Sequence, residues 1–203
     1  MEIEYWKVLQ EGNLEHLQQL LKNNSNLVHT TTNSNPWKYS PNENYQFQTS
    51  GVHFCSFAKR EPLLRELLQH EPDLETLTFE DNKGITTPLV LAIWEGSLES
   101  CQLLLEAGAN PNTWASAESP LYTAAEHHDW EKVALLEKFG AKHDIFTACI
   151  CGKLEIVEME IRAYKPLLER RSAKRNLTPL EEATKHNQKE VEKLIDRLQQ
   201  ISD

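Results

Sequence analysis

Residues 87–112, TPLVLAIWEGSLESCQLLLEAGANPN, decide the fold. Thr87 suits a helix N-cap, because its hydroxyl can accept a hydrogen bond from an otherwise unpaired backbone N–H. Pro88 follows at the first helical position, where its missing N–H costs nothing. Gly96 then separates two apolar helices, and Gly108 stands where a left-handed C-terminal residue is favoured. Neither helix is long enough to be stable alone, so the stretch predicts copies of itself on either side.

Copies of this unit recur along the chain. The tripeptide Thr-Pro-Leu at 87–89 returns as Ser-Pro-Leu at 119–121 and as Thr-Pro-Leu at 178–180. Six of the seven glycines fall at the turns of the repeat, at positions 12, 84, 96, 108, 140 and 152. The chain therefore resembles ankyrin-repeat proteins, whose repeat of about 33 residues carries a T-P-L-H-x-A signature.

The resemblance implies an all-α fold, an ankyrin-repeat solenoid of about six helix-turn-helix repeats with capping repeats at both ends. We expect a single domain over residues 1–203, with an inserted loop at 30–50 between repeats one and two. Repeat two, from about residue 51, lacks the T-P-L opening. Repeat five starts near Asp144, only four residues after Gly140, so its usual hairpin is deleted.

Composition narrows the class of protein. A net charge of −10 argues against binding the phosphate backbone of nucleic acid as the main role. No apolar run approaches the ~18 residues needed to cross a bilayer, and the acidic start Met-Glu-Ile-Glu lacks the basic region of a secretory signal. Four cysteines are too few for a disulfide scaffold, and Cys101 and Cys149 fall at apolar helix positions. We therefore expect a cytoplasmic protein with no membrane contact.

No catalytic motif is present in the sequence. The chain has no G-x-S-x-G elbow, no Gly-rich phosphate loop and no H-E-x-x-H pair. We predict no catalytic residues, no cofactor and no enzyme activity.

One group of residues resembles a zinc site in type but not in spacing. Cys149 and Cys151 could converge with His127, His128 and His143 from adjacent repeats. Two residues apart on a helix, however, the thiols point about 200° from each other. We predict that Cys149 is a core residue and that no metal is bound, leaving a metal-dependent switch as an open alternative.

The resemblance implies that hairpin tips and inner helices line a concave groove for a partner protein. Trp94 and Trp114 stand where the scaffold does not need large apolar side chains, whereas Trp130 replaces Leu98 and is predicted to be core. The predicted partner-binding residues are Trp94, Glu95, Trp114, Glu118, Tyr122, Glu126 and His127.

Charge suggests the kind of partner. Residues 85–131 contain seven acidic residues and no Lys or Arg, whereas residues 162–175 contain six basic residues and one acidic residue. The interpretation we favour is a monomeric scaffold that binds a protein with a basic surface. The alternatives are an inhibitor or neutraliser of a toxin or nucleic-acid-binding enzyme, and an effector delivered into another cell.

Overall fold

A computed structural model describes residues 1–32, 47–80, 83–84, 86–113 and 119–200, excluding the side chains of 47, 48, 79, 80, 83 and 84. Two compact units divide the chain, Met1–Ser116 and Ala117–Asp203, called here the N-terminal and C-terminal units. The described residues form six consecutive pairs of α-helices, three in each unit. The predicted all-α class is confirmed. The single-domain assignment over 1–203 stays a prediction.

The N-terminal unit holds three helix pairs and a small antiparallel sheet. Its helices are α1 Glu2–Glu11, α2 Leu14–Asn23, α3 Gly51–Phe57, α4 Glu61–Leu68, α5 Pro88–Trp94 and α6 Leu98–Glu106. Its strands are β1 Thr31–Thr32, β2 Phe47–Ser50, β3 Phe79–Glu80 and β4 Lys83–Gly84, in the order β1-β2-β3-β4. The two ends of the predicted inserted loop thus pair with each other, Thr31 opposite Ser50 and Thr32 opposite Thr49. Residues 33–46 of that loop lie outside the described residues.

The C-terminal unit holds the other three pairs. Its helices are α7 Pro120–Glu126, α8 Trp130–Lys138, α9 Ile145–Ile150, α10 Leu154–Ala163, α11 Pro179–Lys185 and α12 Lys189–Gln200. Helix α12 buries four apolar side chains and turns a polar face outward, as the sequence predicts for a terminal repeat: Val191, Leu194, Ile195 and Leu198.

Thr87, Ser119 and Thr178, each directly before a proline, cap their helices as predicted. The Thr87 hydroxyl accepts the Val90 N–H at 3.5 Å, and the Ser119 hydroxyl accepts the Tyr122 N–H at 3.1 Å. Thr178 forms a full capping box, since the Glu181 carboxylate also accepts the Thr178 N–H at 2.7 Å.

Repeat two has an opening that the sequence analysis missed. Ser50 is the N-cap of α3, and the His53 ring lies 2.7 Å from the Ser50 hydroxyl in a capping box. Ser-Gly-Val-His at 50–53 therefore stands where the signature has Thr-Pro-Leu-His. The small hydroxyl residue three positions before His53 was the available signal.

Core positions follow the helical pattern, with one correction. Cys101 and Cys149 are fully buried, as predicted. Trp130 was predicted to be core, and this was wrong, because its side chain is 47% exposed. The equivalent first residues of α6 and α10, Leu98 and Leu154, are also exposed. This position faces solvent in the first turn of the second helix of a pair, so an apolar residue there does not indicate burial.

We expect the substitution Gly96→Ala to lower the free energy of unfolding by about 2 kcal/mol. A Cβ at Gly96 would lie 2.6 Å from the Ser56 carbonyl oxygen and 2.7 Å from backbone atoms of Ala92. Because both neighbours are backbone, α3 and α5 must move apart. The urea midpoint, followed by circular dichroism, measures the loss.

Gly108→Ala is the control for the Gly96 variant. No atom lies within 4 Å of the added methyl, and only the left-handed backbone, with φ of +98°, opposes it. We expect a loss of about 1 kcal/mol from backbone strain. An equal or larger loss in the Gly108 variant would contradict close packing at Gly96.

Candidate protein-binding surfaces

In the N-terminal unit, the end of α5 presents an aromatic and an acidic side chain. Trp94 is half-buried and Glu95 is exposed, while the preceding Ile93 is 2% exposed and belongs to the core. The Glu95 N–H donates to the Leu91 carbonyl at 3.1 Å and so fixes the end of the helix. Two predicted contacts, Trp114 and Glu118, lie outside the described residues.

Charge is concentrated in the N-terminal unit. Residues 1–116 contain 15 acidic residues against 7 Lys and Arg, whereas residues 117–203 contain 16 against 14. Most of the net charge of −10 therefore belongs to the first unit. A field of this size attracts basic partners and raises their rate of encounter.

In the C-terminal unit, Tyr122 points inward and ties two helices together. The side chain is 5% exposed, and its hydroxyl donates to Glu182 Oε1 at 2.9 Å. The Ser172 hydroxyl donates to the same oxygen at 3.0 Å. Burial and the negative charge of Glu182 raise the pKa of Tyr122, so the phenol keeps its proton and remains a donor. Tyr122 is therefore an interior residue that links α7 to α11, and it offers little surface to a partner.

Glu126, at the end of α7, is held by cations of its own chain. Its side chain is 3% exposed, and its carboxylate lies 3.7 Å from Lys174 Nζ, 3.5 Å from Lys185 Nζ and against the Arg175 guanidinium. Burial alone would raise the pKa of Glu126, but the hydrogen bond and charge of Arg175, with the two lysines, lower it. Glu126 is thus ionised and used internally, and a basic partner would have to displace these cations.

The loop before α11 carries Lys174 and Arg175 and is closed by its own hydrogen bonds. The Ser172 N–H donates to the Leu177 carbonyl at 2.8 Å, and the Asn176 N–H donates to the Ser172 carbonyl at 2.9 Å. Arg171 Nη1 donates to the Asn176 carbonyl at 2.6 Å. Residues 139–144 form only a short connection between α8 and α9, where the hairpin of repeat five is deleted. We attribute the contact between this loop and α7 to that deletion.

Three aromatic rings of the C-terminal unit contact one another in series, and the first, His186, directly follows Lys185. The His186 and His128 ring centroids are 5.0 Å apart, and His128 meets Trp130 edge to face at 5.5 Å. The His186 side chain is 3% exposed, with Nε2 3.7 Å from Glu182 Oε2, too far for a hydrogen bond. Burial first, then the charges of Lys185 and His128, lower the pKa of His186 to about 4. His186 is therefore neutral at pH 7.

His127, one of the predicted contacts, is exposed.

The histidine and cysteine residues weighed as a metal site have other surroundings. His143 Nε2 lies 2.8 Å from Glu137 Oε1, and His127 and His128 are exposed. Burial raises the pKa of the Cys149 thiol, and burial also raises that of Cys151, to about 11. Within the residues that the structure describes, no group of three or more such side chains is arranged to hold a metal ion.

Comparison with known proteins identifies the family. A family profile described as ankyrin repeats in three copies matches residues 6–115, just over half of the chain. The chain belongs to the ankyrin-repeat family, as the sequence predicts. Repeats of this family are generally non-catalytic modules that bind other proteins.

The curated relatives match only a short stretch. The human protein "Arf-GAP with coiled-coil, ANK repeat and PH domain-containing protein 2" is 41% identical over 58 residues, 29% of this chain and 7% of the relative. The chicken protein of the same description is 39% identical over 64 residues, 30% of this chain and 8% of the relative. The matched region of this chain thus spans less than a tenth of the length of these relatives. Among the described helices, none is long and apolar enough to cross a membrane.

Proposed function

We propose that this chain is a non-enzymatic scaffold that binds a partner protein with a basic surface. The observation that carries the proposal is the uneven charge, with 15 acidic against 7 basic residues in the N-terminal unit. Trp94 and Glu95 at the end of α5 combine an aromatic ring with a carboxylate, and aromatic residues are enriched where interfaces gain most of their energy. Trp114, Glu118 and His127 remain predicted contacts.

We propose a cytoplasmic location and a monomeric state for the scaffold. The four cysteines are free, and three of them are buried, which suits a reducing compartment. The acidic charge disfavours nucleic acid and anionic membrane as ligands, since both repel a negative surface. An inhibitor of a nucleic-acid-binding enzyme would be one form of the same scaffold, because such an enzyme has a basic active site.

We expect the double variant Trp94→Ala/Glu95→Lys to lose its partner in affinity capture from the native cell lysate. Removing an interface tryptophan and reversing a charge should weaken binding at least tenfold. The captured protein should carry a basic surface and should dissociate as salt rises, because ions screen exposed charges. Mass spectrometry of the captured proteins provides the measurement.

Glu155→Lys provides the matched control. Glu155 is an exposed residue in the first turn of α10, so its reversal changes the net charge by the same amount without touching α5. The partner should remain bound to this control. A partner lost equally from both variants would show that net charge alone acts, and a partner retained equally by both would place binding elsewhere.

A further inference from the structure

Three basic side chains converge on one surface of the C-terminal unit. Lys174, Arg175 and Lys185 meet at the carboxylate of Glu126, and their side chains are 41%, 45% and 36% exposed. The Glu126 carboxylate is almost fully buried, and its contacts with all three cations hold them in place. Each cation keeps a substantial part of its surface toward solvent.

The cations are positioned before any ligand arrives. Lys185 ends α11, and the loop with Lys174 and Arg175 is closed by the hydrogen bonds of Ser172 and Asn176. The Ser172 hydroxyl is tied in turn to the buried Glu182. Charged groups that are already ordered lose less conformational entropy on binding, which favours affinity.

An exposed aromatic residue is linked to this surface through two histidine rings. Trp130 is 47% exposed and packs on His128, which packs on His186, the neighbour of Lys185. Tryptophan and arginine are both enriched at protein interfaces, and this surface holds one of each, Trp130 and Arg175.

We propose that this acid-binding patch, formed by Lys174, Arg175, Lys185, His128 and Trp130, binds a partner segment that carries closely spaced Asp or Glu side chains next to an apolar residue. The partner's carboxylates meet the exposed parts of the three cations, and its apolar side chain covers Trp130. The patch is opposite in charge to the N-terminal unit, so it serves a second partner or a second segment of the first.

A carboxylate-bearing protein segment fits better than a nucleic acid. Nucleic-acid sites carry an extended basic surface, whereas the C-terminal unit as a whole has slightly more acidic than basic residues. Three cations at one point complement a few carboxylates and not a long polyanion. The patch already binds one protein carboxylate, that of Glu126, which is the chemistry that we assign to its ligand.

Fluorescence anisotropy with a labelled peptide tests the proposal. The probe is a peptide of about 12 residues with four Glu and two Leu residues, and the matched probe has Gln in place of each Glu. We expect the Glu peptide to bind the full chain at least tenfold more tightly than the Gln peptide. The double variant Lys174→Glu/Lys185→Glu should weaken binding of the Glu peptide at least tenfold, and Trp130→Ala should weaken it severalfold.

Lys138→Glu/Lys193→Glu is the control, since both lysines are exposed, at the far end of α8 from Trp130 and on α12, and the charge change is equal. If circular dichroism shows that the Lys174/Lys185 charge reversal unfolds the chain, Lys174→Gln/Lys185→Gln and the surface variant Trp130→Ala take its place.

Equal binding of the two peptides, or equal weakening by patch and control variants, overturns the proposal. Tighter binding of a phosphoserine peptide or a single-stranded RNA of the same length also overturns it. The Trp94 and Glu95 variants, which belong to the other unit, should leave this binding unchanged.

Discussion

Lowering the pH from about 7.5 to about 5 is expected to reduce the free energy of unfolding by about 2 to 4 kcal/mol. Two buried histidines cause the loss, His53 in the N-terminal unit and His186 in the C-terminal unit. Burial lowers the pKa of each to about 4, from an ordinary value near 6.5. For His53 the backbone of Thr76 and Thr86 and the charge of Asp73 oppose this effect without overcoming it.

The direction follows from proton binding. Between pH 6.5 and 4 the unfolded chain protonates these histidines and the folded chain does not, so acid favours the unfolded state. Each histidine contributes at most about 2 kcal/mol at about pH 5. Carboxylates with a lowered pKa, such as Glu126, lose their contribution only at lower pH, below the value near 4.5 for an unperturbed glutamate.

Urea unfolding followed by circular dichroism at a series of pH values measures the effect. His186→Gln should make the dependence between pH 6.5 and 4.5 shallower by about half. His127→Gln, at an exposed position, should leave it unchanged. A stability that stays constant from pH 7.5 to 5 would contradict the burial of neutral histidines.

Glu182→Ala is expected to lower the free energy of unfolding by about 3 kcal/mol. Glu182 is fully buried, and one of its oxygens accepts hydrogen bonds from both Tyr122 and Ser172. Removing the carboxylate leaves both hydroxyls without their acceptor and opens a cavity under α7. The loop with Lys174 and Arg175 also loses its anchor, so binding of the acidic peptide should weaken together with stability.

Glu182→Gln separates hydrogen bonding from charge. The glutamine side chain keeps an oxygen for the Tyr122 hydroxyl, so we expect a smaller loss, about 1 kcal/mol. Tyr122→Phe, which removes one donor and keeps the ring, should also cost about 1 kcal/mol. The urea midpoints of the three variants give the comparison, and a Glu182→Ala variant as stable as Glu182→Gln would show that the buried hydrogen bonds contribute little.

Local chemistry explains which features the sequence could predict. The helix starts at Thr87, Ser119 and Thr178 depend on neighbouring residues alone. In each case the side-chain hydroxyl accepts a hydrogen bond from the backbone N–H three residues later in the chain. The left-handed glycines at 108 and 140 are equally local. From 87 to 119 and from 108 to 140 the two signals recur at the same offset of 32 residues, and they sufficed for the family.

The inward position of Tyr122 could have been read from the repeat itself. Tyr122 stands at the His position of T-P-L-H-x-A, as do His53, Val90 and Thr147 in their own repeats. All four side chains are buried, with exposures of 5%, 0%, 1% and 0%. Repeat six has the exposed Glu181 at this position, so aligning the repeats favours burial at four of five. The aromatic character of Tyr122 alone suggested a surface contact.

The partners of Glu126 could not be read from the sequence. Lys174, Arg175 and Lys185 lie some fifty to sixty positions further along the chain. The loop before α11 brings Lys174 and Arg175 to Glu126, and Lys185 reaches it from the end of α11. The basic run at 162–175 was visible as composition, but composition does not show that its acceptor lies at the end of α7. Tertiary pairing of this kind leaves no periodic signal.

The two units therefore carry different surfaces on one scaffold. By these proposals the N-terminal unit offers Trp94 and Glu95 within a strongly acidic region. The C-terminal unit offers the cations held by Glu126, to which Trp130 is linked through two histidine rings. Opposite charges on separate units allow partners of opposite charge to be distinguished by repulsion as well as attraction.

Hydrogen–deuterium exchange of the full chain, with and without the partner captured from the native lysate, tests the central proposal most directly. We expect slower exchange on binding at the end of α5 and the start of α6, around residues 91–99, because the partner covers Trp94 and Glu95. Added salt should reverse that protection, since the partner's surface is basic. Protection that leaves residues 91–99 unchanged, or that persists at high salt, would contradict a basic partner bound at this face.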